Sequence, residues 1–208
     1  CWGDNISRTI SPMGVVSPHL EGVAPDQTVN DWLEHGAWMT EGEKIEVPEG
    51  LSAREWLAQY YFEHYSKEYD VDLASFCTRS EIMDSILYSL FPNLAPWAGF
   101  HPNLTYRMKP YGDNHEMCTM EIIFLMRYPD GAERPADAPV HKLDKDQLFS
   151  EAPGLEGGIG RVFDQDFSNL KMVQKGLKNL KSKEVVLANY QEIRIRHFHQ
   201  TLDKYLNA

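Results

Sequence analysis

The sequence predicts an α+β fold, an antiparallel sheet with helices packed on it, in one domain that spans residues 1–208. Candidate strands are followed by helices and do not alternate strictly with them, which is typical of α+β proteins. A chain of 208 residues can bury a full core, and 42% hydrophobic with 12% aromatic residues is typical of a folded protein. We therefore expect a globular protein.

The elements of the first half follow from local patterns. Residues 4–17 alternate weakly until a proline and a glycine interrupt them, which predicts a strand and a turn. Residues 31–39 are a candidate short helix. The clearest helix is predicted to begin at Ser52, because Ser-Ala-Arg-Glu matches a capping box and large apolar residues from Trp56 to Tyr65 recur on one face.

Further along the chain, residues 71–77 alternate as a strand would, and Ser80 is predicted to cap a helix that Pro92 ends. Residues 104–109 and 118–128 are predicted to be adjacent antiparallel strands. Residues 132–156, rich in proline, aspartate and alanine, are predicted to be a loop excursion. The last helix is predicted over residues 187–206.

Charge and composition exclude several classes of partner. The net charge of −11 argues against nucleic acid and against anionic membrane surfaces. No apolar run approaches the ~20 residues that span a bilayer. The three cysteines, Cys1, Cys77 and Cys118, are isolated and odd in number, without a C-x-x-C pair. These features predict a soluble, cytoplasmic protein with reduced thiols.

The most informative stretch is RVFDQDFSNLKMVQKGLKNL, residues 161–180. Its apolar residues recur at helical spacing, which predicts an amphipathic helix seated against a core, with Asp166 in the first turn. These apolar positions are Phe167, Leu170, Val173, Leu177 and Leu180. A carboxylate in that place either caps the helix or binds a positively charged group, and the pattern alone favours the cap.

Resemblance to a known family favours the interpretation that Asp166 binds a positively charged group. FDQD followed by VQKGL is similar to the segment that gives the iron its carboxylate in the catalytic domain of Rieske ring-hydroxylating oxygenase α subunits. GDNISRTISPMGVVSPHL, LFPN, NLTYRMKPYGDNHEM and ANYQEIRIRHFHQTLDKYL each resemble a further segment of these proteins, in the family's order. The chain is thereby identified as similar to the family over most of its length.

The resemblance implies a fold and a set of site residues. The fold is a helix-grip, START-like domain that holds a mononuclear Fe(II) by two histidines and one carboxylate, with a [2Fe–2S] cluster in an N-terminal Rieske domain. Asp166 takes the carboxylate role because it stands eight positions before Gln174, as in the family. Asp164 is the second choice, and it is favoured to be a solvated or capping group instead. The implied substrate pocket is lined by Phe91, Asn93, Val162 and Phe163. From the residues alone, Phe91 and Phe163 could equally well be ordinary core residues. Asn93 could equally well form a turn after Pro92.

The same resemblance implies an activity and partners. Such enzymes hydroxylate an aromatic or other hydrophobic substrate with O₂ and electrons from NAD(P)H, delivered by a ferredoxin or reductase. They assemble as homotrimers or α₃β₃ complexes. Neither the substrate nor the choice between monooxygenation and dioxygenation follows from the sequence.

The sequence also departs from the family, because it contains neither the Rieske ligands nor the two iron histidines. His197 and His199 are two apart on a predicted helix, so their side chains diverge by ~200°. A start at Cys1 predicts an N-terminally truncated fragment that alone binds iron weakly and is inactive. The alternatives are a helix-grip domain that binds a lipid or sterol without catalysis, and a structural interaction module.

Overall fold

The computed structural model describes residues 1, 3–17, 19–35, 44–100, 102–156 and 158–208. The chain groups into two compact units. The first unit contains Cys1–Ser17, Gly50–Ala132 and Leu187–Ala208, and the second contains Pro18–Glu49 and Glu133–Val186. The single domain over residues 1–208 stays a prediction.

The first unit is built on a five-stranded antiparallel sheet whose spatial order follows the chain. Its strands are β1 (Ile6–Ser11), β2 (Ser85–Leu90), β3 (Leu94–Ala98), β4 (Leu104–Tyr111) and β5 (Asn114–Phe124). Successive strands from β2 onward are joined by short turns, so residues close in sequence also pair in the sheet. The long excursion between β1 and β2 returns to the sheet beside β1, with Ile6 opposite Leu90.

Helices lie in both units. The first unit contains α2 (Ala53–Tyr69), α3 (Arg79–Met83) and α5 (Ile193–Leu206), and the second contains α1 (Pro25–His35) and α4 (Gly158–Asn179). A five-stranded antiparallel sheet with these helices confirms the predicted α+β, helix-grip-like fold. Among the described residues, every helix is too short or too polar to cross a lipid bilayer.

The capping box at the start of α2 is confirmed. The Ser52 hydroxyl accepts a hydrogen bond from the Glu55 amide at 3.2 Å, and the Glu55 carboxylate accepts one from the Ser52 amide at 3.0 Å. Leu57, Tyr61 and Tyr65, one turn apart on the predicted face, are buried. The sequence pattern predicted this cap correctly because both partners of the capping box lie within one helical turn.

A buried carboxylate joins α2, α3 and the segment after β1. Asp84 is 3% exposed and accepts two hydrogen bonds from the Arg54 guanidinium, at 2.6 and 2.9 Å. The Ser80 hydroxyl and the Met13 amide donate to the same carboxylate at 2.7 and 3.0 Å. Burial alone would raise the pKa of Asp84, but the hydrogen bonds from Arg54, Ser80 and Met13 outweigh it and lower that pKa.

The predicted helix from Ser80 to Pro92 is wrong. Thr78, and not Ser80, caps a helix of only five residues, and residues 85–90 form the strand β2. Ile82, Ile86 and Leu90 are four residues apart, a spacing that is close to one helical turn and also even, as a strand face requires. Pairing of β2 with both β1 and β3 decides between the two.

Other boundaries also differ from the predictions. The predicted strand over residues 71–77 is wrong: it contains a 3₁₀ turn, Leu73–Ser75, whose hydrogen bonds are local, such as Cys77 N to Leu73 O at 2.8 Å. The strand predicted over 118–128 begins at Asn114 and ends at Phe124, and the last helix begins at Ile193. The excursion over 132–156 is confirmed as mainly irregular. The candidate helix over 31–39 corresponds to the end of α1, and residues 36–39 lie outside the described residues.

Candidate functional site

Asp166 lies in the interior of α4 and not in its first turn, because the helix already begins at Gly158. The prediction of a first-turn position was wrong because Gly158 and Gly160 lower helix propensity, which hid the true start. Gly160 has a packing role: a β-carbon there would lie 2.0 Å from the Leu155 carbonyl oxygen. The helix can therefore approach the preceding segment only with glycine at this position.

The predicted apolar face of α4 packs at Phe167, whose ring centroid lies 4.6 Å from that of Phe149, but the face is largely exposed further along the helix. Leu170, Val173 and Leu177 are 54%, 56% and 46% exposed. The buried contact of the helix is nearer its start, where Phe163 is 2% exposed and its ring packs against Phe149 at a centroid distance of 5.5 Å. This part of α4 anchors the helix in the second unit.

Asp164 has a structural role. Its carboxylate accepts hydrogen bonds from the Phe149 amide at 2.6 Å, the Ser150 hydroxyl at 2.5 Å and the Ser150 amide at 3.3 Å. These bonds, the one from the Ser150 hydroxyl foremost, lower the pKa of Asp164. Asp164 thus caps the 3₁₀ turn Phe149–Glu151, and both of its oxygens are occupied.

Asp166 is the opposite case. Its side chain is exposed and forms no hydrogen bond or ion pair with any other residue that the structure describes. Both carboxylate oxygens are therefore available to a ligand. Because α4 begins at Gly158 and Asp166 lies well inside the helix, the capping interpretation of this residue is wrong.

The first unit contains an open cavity of about 350 Å³. It lies where β2 turns into β3, beside the first half of α5 and the residues that lead into β1. Phe91 and Asn93 both line it. The side-chain amide of Asn93 donates to the Met108 carbonyl at 2.9 Å, and the Phe91 ring packs against Phe198 at 5.3 Å between centroids. The structure thus brings together two of the four predicted pocket residues, whose contact with substrate stays a prediction.

Val162 and Phe163 lie on α4 in the second unit. Phe163 is part of the core there, as its alternative interpretation predicted, whereas Val162 is 43% exposed. Val162 stands four residues before Asp166, so the two share one face of the helix. An exposed apolar side chain therefore lies one turn from the exposed carboxylate.

A family model described as the ring-hydroxylating α subunit (catalytic domain) matches residues 11–208. The chain belongs to this family. The match confirms the resemblance stated above, including its extent along the chain. No curated protein and no solved structure matched the sequence. Ring-hydroxylating α subunits are oxygenases, so membership supports an enzymatic, oxidoreductase role, and the family implies iron and a Rieske cluster as cofactors.

We tested whether the residues present fit the iron that the family implies. Over the described ranges, no group of three or more histidine, cysteine or acidic side chains comes close enough together to hold a metal. A facial triad needs two histidines beside the carboxylate. The nitrogen Nε2 of His197 instead contacts the Gly3 carbonyl at 2.8 Å, and the ring of His64 stacks on Tyr60. Asp166 fits one ligand position, but these residues do not form the complete donor set of the ring-hydroxylating site.

The residues of α5 that line the cavity were not predicted from the sequence as pocket residues. Arg194, Ile195 and Phe198 contribute a cation and two apolar side chains to it. Ser7 of β1, which is 4% exposed, also lines it. Only the pairing of β1 with β2 and the packing of α5 bring these positions together, and neither leaves a local signal in the sequence.

Proposed function

We propose that this chain is the catalytic-domain portion of a terminal oxygenase component. It hydroxylates an aromatic or other hydrophobic substrate with O₂ and with electrons from NAD(P)H that arrive through a Rieske [2Fe–2S] cluster. The observation that carries the proposal is the family match over residues 11–208, which includes an aspartate in the FDQD segment with both oxygens available. Either dioxygenation or monooxygenation is compatible with this site.

Asp166 is proposed as the carboxylate ligand of a mononuclear Fe(II). Its exposure and the lack of a partner within the described part of the chain support this role, since a ligand oxygen must not be engaged elsewhere. Asp164, two residues away, is unsuited because the Phe149–Glu151 turn occupies its oxygens. A carboxylate is also the anionic member of the two-histidine, one-carboxylate set that non-haem iron oxygenases use.

Substrate contacts are proposed for Phe91 and Asn93, which line the cavity, and for Val162, exposed one turn before Asp166. Phe163 contributes by positioning α4, because it is buried against Phe149. We further propose a ferredoxin or reductase as electron donor and a homotrimer or α₃β₃ assembly, by analogy with the family. The net charge of this chain, −11, is compatible with docking of a redox protein that presents a basic face to it.

The second candidate function is binding of a hydrophobic ligand, a lipid or sterol, without catalysis. It is favoured by the cavity in the first unit, which has aromatic and aliphatic walls and whose existence does not depend on Asp166. The two candidates differ in one measurable property. Only the oxygenase requires iron.

The test replaces Asp166 in the gene product that contains this sequence. Asp166→Ala is expected to lose nearly all mononuclear iron, measured by elemental analysis, while the electron paramagnetic resonance signal of the reduced cluster is unchanged. Hydroxylated product from naphthalene, biphenyl and 2-naphthoate, with isotopically labelled O₂, is expected to disappear. Asp166→Glu moves the oxygens by one methylene and is expected to lose most activity, since ligand placement tolerates little displacement.

Gln165→Ala, on the same helix and also exposed, is the matched control and should retain iron and product. Unchanged iron in Asp166→Ala would refute the ligand assignment. A wild-type protein that binds neither iron nor a cluster would refute the oxygenase and leave the carrier function.

A further inference from the structure

The cavity in the first unit has apolar walls and a size suited to a small organic molecule. Its volume of about 350 Å³ lies at the lower end of the ~300–1,000 Å³ range of ligand sites. Phe91, Met108, Ile195 and Phe198 supply aromatic and aliphatic surface to it. All of its lining residues belong to the first unit, so its shape does not depend on α4.

The charged and titratable side chains of the lining are almost all engaged. Asp4 is paired with Lys204 at 2.6 Å between Oδ1 and Nζ. The ring of His197 contacts the Gly3 carbonyl through Nε2 at 2.8 Å. The charge of Asp4, the one carboxylate of the lining, is therefore balanced by Lys204, and the His197 imidazole already has a partner. The remaining charge in the cavity wall is the guanidinium of Arg194.

Arg194 is partly buried, and its guanidinium makes no hydrogen bond or ion pair within the ranges that the structure describes. A guanidinium is always charged and has five N–H donors, so this one can donate to a ligand in the cavity. The protein as a whole carries a net charge of −11, so acidic side chains that could have paired with it are abundant.

Helix stability does not explain Arg194 either. It is the second residue of α5, whose first turn contains no acidic residue. A cation at that end opposes the helix macrodipole, which favours negative charge there. The position therefore carries a small cost to the helix that a bound anion would offset.

We propose that this cavity binds an aromatic or otherwise apolar carboxylate, with Arg194 as the partner of the carboxylate. The planar guanidinium can donate two parallel hydrogen bonds to the two carboxylate oxygens. The body of the ligand then packs against Phe91 and the apolar side chains of α5. The proposal extends the proposed function by giving a class of substrate, and in that respect it rests on that function.

Calorimetric titration of the gene product with 2-naphthoate and with 2-naphthamide tests the proposal. The two probes share the same aromatic body, but only 2-naphthoate is charged. We expect 2-naphthoate to bind about ten- to a hundredfold more tightly, as for hydrogen bonds to charged groups. Arg194→Gln should remove that preference and leave 2-naphthamide binding unchanged. Arg194→Lys, which keeps the charge without the planar fork, should retain part of it.

Arg79→Gln is the matched control, because Arg79 is an exposed arginine at the start of α3 that does not line the cavity. It should bind 2-naphthoate as the wild type does. Equal affinities of the wild type for the two probes, no saturable binding of 2-naphthoate, or an Arg194→Gln variant with wild-type preference would each overturn the proposal. Binding that depends on Arg194 in a protein without iron or hydroxylated product would uphold this site and refute the oxygenase.

Discussion

Two aspartates, one in each unit, have opposite roles. Asp84 in the first unit is 3% exposed and accepts four hydrogen bonds, from Arg54, Ser80 and the Met13 amide. Asp166 in the second unit is exposed, and the described residues give it no partner. A carboxylate whose oxygens are all engaged specifies the fold, because any other arrangement would leave charges buried and unpaired. One whose oxygens are left available adds nothing to the fold and is free to bind a ligand.

The largest effect is expected from Asp84→Ala. This change leaves the Arg54 guanidinium without its carboxylate partner and removes the acceptor of the Met13 amide, so the free energy of unfolding should fall by about 3 kcal/mol. Urea titration followed by tryptophan fluorescence measures the loss. Asp203→Ala, an exposed aspartate on α5, is the control and should unfold as the wild type does. A loss below about 1 kcal/mol in Asp84→Ala would show that the network does not hold the unit together.

The pH dependence of stability should report the same carboxylate. The folded-state pKa of Asp84 lies below its ordinary value because hydrogen bonds to the charged form outweigh the effect of burial. A lowered pKa contributes stability that is fully present above the unfolded value of about 3.9 and is lost as the pH falls through the folded value. From about pH 4 downward, the wild type should therefore lose stability more steeply than Asp84→Asn.

Urea midpoints of both proteins between neutral pH and pH 3 measure this difference. Other acidic groups with lowered pKa values, such as Glu55 and Glu121, are common to both proteins and cancel in the comparison. Parallel pH curves would contradict the assigned role of Asp84.

An intermediate, local effect is expected from Asp164→Ala. Loss of this carboxylate removes the acceptor of the Phe149 and Ser150 amides, so the 3₁₀ turn should open more often. Exchange of these two amides with deuterated water should be roughly tenfold faster, as for the loss of one hydrogen bond. The Met13 amide, which donates to Asp84, should exchange as in the wild type. Equal exchange at Phe149 would mean that the turn holds without its cap.

How much of this contrast the sequence could predict depends on how far apart the partners lie. The capping box of Ser52 and Glu55 was predicted correctly because its partners are three residues apart. For Asp164 the sequence predicted a solvated or capping group but not the turn that it caps, since its partners lie fourteen and fifteen residues earlier in an irregular segment. The strand β2 was missed because its apolar spacing is compatible with either secondary structure and its pairing partners decide.

The candidate site shows the same limit. The motif around Asp166 identified the family from the sequence, and the match over residues 11–208 confirmed it. Arg194 was missed because the cavity is assembled from β1, β2, the turn after β2 and α5, which are distant in the chain. The start of α4 was missed because the glycine that permits its close packing is also a poor helix former.

The smallest effect on stability is expected from Asp166→Ala, although its effect on activity is the largest. In the presence of a chelator the variant should unfold within about 0.5 kcal/mol of the wild type, since an exposed side chain without partners contributes little. A loss similar to that of Asp84→Ala would show that Asp166 has a structural partner and would remove the contrast between the two aspartates.

Added Fe(II) under anaerobic conditions should produce a difference in stability between the wild type and Asp166→Ala. A ligand that binds only the folded state stabilises it in proportion to the logarithm of its concentration over its Kd, by about 2.7 kcal/mol at a hundredfold excess over Kd. The wild-type gene product should therefore gain stability as Fe(II) is added, and Asp166→Ala should gain none. Equal stabilisation of both proteins would mean that iron binds elsewhere, and Asp166 would then be an exposed carboxylate without a ligand.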